Sequence, residues 1–293
     1  MDLISIEGVG AGWVVAIQGE QAADVGALSA LQQLPAACVV RRMLSQHVLG
    51  RLRDHQAAAA PGARWSPAAS AGPADRVYCP AEVAAGLRAL AARRGCEVAA
   101  YVSSALREGL HGVGSASAPL PDPLHAATRQ ASNPYADDND AVTAWLPERV
   151  HAALGELTGL LGMSRSDGLR NCIFAGIYGR LAYERAVLAG AWSSSRRRDD
   201  AMFSQAPSED PASDAVRASR PKVAPRVELI GQLGKSTVAF RAPLPALLKR
   251  HLDHVATQRG MPTSELLRRL LAAYLLGRAE ANTLPLILDA SGP

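Results

Sequence analysis

Aromatic residues are scarce in this chain, at 4% of 293 residues, although apolar residues make up 48%. A large interior normally draws on Phe, Tyr and Trp for bulk. The composition therefore speaks against one big core and for several small ones built from Leu, Val and Ala. Cysteine is also rare. Cys38, Cys79, Cys96 and Cys172 include no C-x-x-C pair, which excludes a zinc ribbon and leaves them as small buried hydrophobes in a reducing compartment. No run of 18 apolar residues occurs, so no membrane span is expected. The opening MDLISIEGVGAGW has no basic start followed by an apolar run, so no signal peptide is read and the expected location is cytoplasmic. Neither sign of charge dominates: the net charge is +4, which permits a polyanionic partner but excludes histone-like wrapping.

Catalytic signatures are missing too. There is no G-x-S-x-G and no H-E-x-x-H, and the expectation is a protein that is not an enzyme, with no cofactor and no metal. GQLGKS at 231–236 imitates part of a phosphate loop, but Leu229 stands where the first glycine is needed and TVAF follows as a strand, not a helix. His251 and His254 are three apart on a helix with no third ligand evident, and they read as a solvated face.

What the chain has is punctuation. Residues 55–74, 113–140 and 190–234 are rich in Ala, Pro, Ser and Gly or in alternating charge, and read as linkers whose apolar surface cannot offset the entropy of ordering them. Four islands remain: 1–54, 75–112, 141–189 and 235–280, with a tail at 281–293. Each is small for an independent domain, which points to repeats that fold only when paired.

The third island shows the repeat most clearly. AVTAWLP alternates, with Val142, Ala144 and Leu146 on one face, and reads as a short half-buried strand. Pro147 ends it and suits a helix start. Val150, Leu154 and Leu157 follow at helical spacing, Gly162 closes the helix, and Ser164 opens a second one carrying Leu169, Ile173 and Ile177. Counted from Pro147, the apolar positions are +3, +7, +10, +22, +26 and +30. The same offsets from Pro80, Pro245 and Gln18 land on Val, Leu or Ile everywhere except Gln21. A glycine at +15 recurs as Gly95, Gly162 and Gly260, with Gln33 in its place in the first unit. The first unit is therefore a degenerate copy, expected as a strand at 13–17 and helices at about 20–33 and 36–53, with Trp13, Val15 and Ile17 facing inward.

Strand, proline, helix, glycine turn and Ser/Thr-led helix resemble the Arc/MetJ-type ribbon-helix-helix superfamily. The segments that carry the likeness are TAWLPERVHAALGELTGLLGMSRSDGLRN (143–171), FRAPLPALLKRHLDHVATQRGMPTSELLRRLL (240–271) and RVYCPAEVAAGLRALAARRGCEVAAYVSSAL (76–106), about half the chain with the register-only match at 12–44. The resemblance implies a mainly α fold with short β-ribbons, in which tandem units pair within the chain into two pseudo-dimers joined by disordered linkers. It implies double-stranded DNA as partner, an antiparallel ribbon in the major groove as reader, and second-helix N-termini on phosphates. The tandem form resembles accessory DNA-binding proteins of conjugative relaxosomes; shorter relatives are mostly repressors and antitoxins. The implied partners are DNA and relaxosome or other proteins, with no membrane.

Outward strand positions lie two and four before each anchor. They offer Arg76 and Tyr78, Thr143 and Trp145, and Arg241 with Pro243, while the first unit offers only Val14 and Ala16. Arg76 and Arg241 suit guanine, and Thr143 suits a base edge or a thymine methyl. Ser164, Arg165, Ser166, Thr263 and Ser264 are the expected phosphate contacts, with plain helix capping as the competing role. Glu97 at the matching helix start of the second unit repels phosphate. The competing function is an interaction module that has kept its fold and lost DNA reading.

Overall fold

A computed structural model describes residues 4–9, 12–17, 19–59, 76–114, 139–192 and 236–281. The elements in chain order are β1 (Ile4–Val9), β2 (Gly12–Ile17), α1 (Glu20–Gln32), α2 (Ala36–Leu49), α3 (Arg51–Ala59), β3 (Arg76–Cys79), α4 (Ala81–Arg94), α5 (Val98–His111), β4 (Asn139–Pro147), α6 (Glu148–Leu161), α7 (Arg165–Leu188), β5 (Ser236–Pro245), α8 (Ala246–Gln258) and α9 (Thr263–Ala281).

The expected fold class is overturned. The protein is not a pair of ribbon-helix-helix dimers held by linkers. Among the described residues it is mostly helical, with nine helices against five short strands. β4 and β5 make a small two-stranded antiparallel sheet, whereas β1, β2 and β3 form a three-stranded one with β2 in the centre. The helices then pack across the expected boundary between halves, chiefly α2 with α9 and α5 with α7.

The local rules held where they concern burial. All 24 offset positions are buried, including Gln21 at 2% exposure. The Gln21 Nε2 donates to the Ser103 backbone oxygen at 3.1 Å and to its hydroxyl at 3.0 Å, which offsets part of the cost of hiding an amide whose Oε1 has no hydrogen-bond partner among the described residues. Val15 and Ile17 are buried as expected; the side chain of Trp13 lies outside the described residues. Pro80, Pro147 and Pro245 each stand immediately before the first turn of a helix at φ between −58° and −53°, where the missing N–H costs nothing. The turn glycines Gly95, Gly162 and Gly260 are left-handed, and so is Gln33, at φ 54°.

The merger of the halves has a specific cause. Each second helix is broken by a glycine 32 residues after its anchor: Gly50, Gly112, Gly179 and Gly277, with φ from 70° to 82° and ψ between 160° and 180° in magnitude. That region is open to glycine alone. The four meet in pairs, Gly50 against Gly277 and Gly112 against Gly179, so closely that a Cβ on any of them would overlap backbone of its partner segment. Beyond Gly112 the chain bonds to the other half: Val113 N donates to Gly176 O at 2.8 Å and Gly114 N to Ile177 O at 3.0 Å. Three residues just past the breaks change sides. Leu52 and Val113 are buried in the core of the third and fourth units, and Leu181 in the core of the first and second. Full burial of a leucine contributes about 1.5–3 kcal/mol, so the exchange is a substantial part of what joins the halves.

Segments read as linkers are trimmed accordingly. Residues 51–59 are helical with His55 fully buried, Val113 is 1% exposed, and Trp192 is 5% exposed, its indole donating to Asn171 Oδ1 at 2.8 Å. Apolar residues in a polar stretch found a core that composition alone does not reveal.

Candidate nucleic-acid interface

The β4–β5 sheet presents the alternation expected of a half-buried ribbon. Val142, Ala144, Leu146, Ala242 and Leu244 are buried beneath it, while Thr143, Trp145, Ala239, Arg241 and Pro243 are exposed. Thr143 stands directly opposite Arg241, and Trp145 opposite Ala239. Facing residues in such a pair bring their side chains within about 5 Å at Cβ, so a hydroxyl and a guanidinium share one outward patch. Trp145 is 54% exposed, among the few large apolar side chains left in solvent. Below it, Arg268 from α9 donates Nε to the Trp145 carbonyl at 3.2 Å and pairs with Glu265, which ties the ribbon end to the helix.

Arg76 and Tyr78 occupy β3 opposite Ala16 and Val14; their side chains lie outside the described residues. Their sheet differs from the other in width. Strands lie about 4.8 Å apart, and the major groove is about 12 Å wide and admits a two-stranded ribbon. With β1 added, the first sheet is a strand too broad for that fit.

The helix N-termini are already engaged. Ser164 is exposed and caps α7, accepting from Asp167 N at 3.0 Å and donating to Asp167 Oδ2 at 2.6 Å. Asp167 also pairs with Arg170, and its carboxyl lies below the usual range because Ser164 and Arg170 hydrogen-bond it, which outweighs the burial that pushes it up. Arg165 is exposed and its guanidinium lies over Gly155; Ser166 is half-buried. At α9, Thr263 donates to Asp253 Oδ1 at 2.7 Å, Ser264 is half-buried, and Glu265 fills the first turn with Arg268 and Arg269 on it. Both termini thus carry their own carboxylate against the helix dipole, as does the second unit at Glu97; Ser164 is a helix cap, whereas Thr263 is held by Asp253.

Compared with family models, with curated proteins and with solved structures, the chain finds no match.

The histidines flagged in the sequence are engaged differently from a solvated pair. His251 bonds through Nδ1 to the Tyr178 hydroxyl, and burial holds its pKa below the ordinary value, whereas His254 is exposed and bonds Gln258. No cluster of three metal-ligating side chains occurs among the described residues. Residues 231–235 of the phosphate-loop lookalike lie outside the described residues. No single helix among the described residues is long and apolar enough to cross a membrane.

One polar constellation is absent from the expected sites. Arg51, Arg180 and Arg278, which directly follow three of the four break glycines, converge with Glu108, His47 and Tyr274 where α2, α5, α7 and α9 meet. Arg278 is 3% exposed and paired with Glu108; burial lowers its pKa to about 10 despite the opposing pull of Tyr101. Extending the offset count to +32 and +33 would have exposed the Gly-Arg repeat.

Proposed function

We propose that the protein binds double-stranded DNA by laying the β4–β5 ribbon in the major groove. The observation that carries this reading is the exposed pair of Thr143 and Arg241, directly opposed on a two-stranded sheet whose other face is core. Arg241 would donate two bonds to guanine O6 and N7, and Thr143 would meet the neighbouring base. The net charge of +4 suits a modest phosphate contribution. β1 leaves the three-stranded sheet to complete the body, while Ser164 caps its own helix and Thr263 is held by Asp253.

Selection of duplexes from a random pool, followed by mobility shifts over a salt series, tests the reading. Arg241→Ala should weaken the selected site by about 1–3 kcal/mol, roughly 5- to 150-fold. Thr143→Ala should relax preference at one base pair. Unchanged affinity in both variants, or a chain that selects no sequence, refutes it. A second reading, a protein-binding face, is favoured by the exposure of Trp145. It requires that Trp145→Ala abolish capture of a partner while leaving duplex affinity intact.

A further inference from the structure

We propose that the cleft at the junction of α2, α5, α7 and α9 is a binding site for a small organic acid, with one carboxylate and a compact apolar body. The cleft has a volume of 130 Å³, near the roughly 150 Å³ of a cavity that takes up benzene. Its charged lining is Arg51, Arg180 and Arg278 against Glu108, and its apolar walls include Met43, Ala105, Leu270 and Ala273. Small-molecule sites have this make-up, mostly apolar with a few convergent polar groups. Guanidinium is the side chain suited to a carboxylate, which it can bind through two parallel bonds.

The arginines are held before any ligand arrives. Arg51 donates Nε to His55 at 3.2 Å and Nη1 to the Tyr274 hydroxyl, and it lies 5.3 Å from the Tyr274 ring centroid. Arg180 pairs through Nε with Glu184 at 2.9 Å, and Arg278 pairs with Glu108. Side chains already fixed lose little freedom on binding. They also come from three of the four units, so a ligand among them touches both halves next to the glycine crossings. This site is separate from the ribbon face and does not depend on the DNA reading.

Calorimetric titration and thermal denaturation of the full chain test the proposal, using benzoate as probe at constant ionic strength. Acetate supplies the head without the body, benzyl alcohol the body without the charge, and chloride the screening. The expected result is one saturable benzoate site per chain, with a Tm rise of about 5–10 °C at a hundred times Kd. Acetate should bind at least tenfold more weakly, and benzyl alcohol and chloride should have no saturable effect. Arg180→Met should lower benzoate affinity at least tenfold, with Arg180→Lys recovering part of it. Ala273→Leu, which fills the cleft without removing a charge, should block binding in a folded chain, while Arg88→Met on the exposed face of α4 should change nothing. No saturable benzoate response, equal binding of benzyl alcohol, or benzoate binding that survives both Ala273→Leu and Arg180→Met each overturns it.

Discussion

Replacing Gly112 by alanine tests the idea that glycine breaks hold the two halves together. Gly112 sits at φ 70°, ψ −179°, a conformation that costs a residue with a Cβ about 1–3 kcal/mol. The new methyl would also overlap the Gly179 amide nitrogen and the Ile177 carbonyl. Relief requires the two segments to part, which stretches the bonds from Val113 N and Gly114 N, at 2.8 and 3.0 Å, each contributing about 1 kcal/mol. Together the loss should be about 3–5 kcal/mol, a large share of the roughly 5–15 kcal/mol by which a domain is stable. The matched control is Gly26→Ala in α1, where an added Cβ meets nothing within 4 Å and helix propensity should contribute up to about 1 kcal/mol. Urea denaturation followed by circular dichroism measures both. If Gly112→Ala costs less than about 1 kcal/mol, or if the two glycines respond alike, the crossing is not what joins the halves.

Gln33→Gly should stabilise the chain by about 0.5–1 kcal/mol, because the left-handed strain of a side chain exceeds the chain entropy that glycine adds; a Tm that falls would contradict this. Acidification below pH 6.5 should destabilise the fold. Burial, with the charge of Arg278 added, holds His47 well below its ordinary pKa, so the unfolded chain binds a proton the folded one refuses; stability is full above 6.5 and declines below it by up to about 1.4 kcal/mol per pH unit. His47→Gln should flatten that slope. A protease site inserted within residues 115–138 and then cut should yield two fragments that still co-elute on gel filtration; clean separation of the fragments without denaturant would show that α2–α9 and α5–α7 packing does not bind them.

Much of the interior was legible because burial follows periodicity. The offsets that place Val25, Leu44, Leu106 and Leu271 in the core rest on helix geometry, which acts locally. The glycine turns were legible for the same reason, and Gln33 shows the position tolerating another residue at a cost. The exposed parity of Thr143 and Arg241 likewise follows from strand alternation. The assembly was harder to see. β1 was passed over, although ISIEGV ahead of GWVVAI, with Gly10 and Ala11 between, has the spacing of a hairpin. The stretch after Gly112 reads as linker by composition, and only contact with Gly176 and Ile177 turns Val113 into core. The convergence of Arg51, Arg278 and Glu108 was not legible, since nothing in a one-dimensional pattern shows that helices from opposite ends of the chain will bury them together. The fold class failed at this level: the likeness to paired small domains does not describe the mostly helical body into which these segments merge.

The strand pairs and glycine crossings close a circuit. The first unit holds the second through β2–β3 and the fourth through Gly50–Gly277; the third holds the fourth through β4–β5 and the second through Gly112–Gly179. Among the described residues, each unit meets one neighbour through its strands and another through its glycine crossing, all within one polypeptide. An assembly of four separate chains on this plan would fall apart on dilution, since its stability would depend on protomer concentration. Here each partner is permanently tethered, so unfolding should be independent of protein concentration.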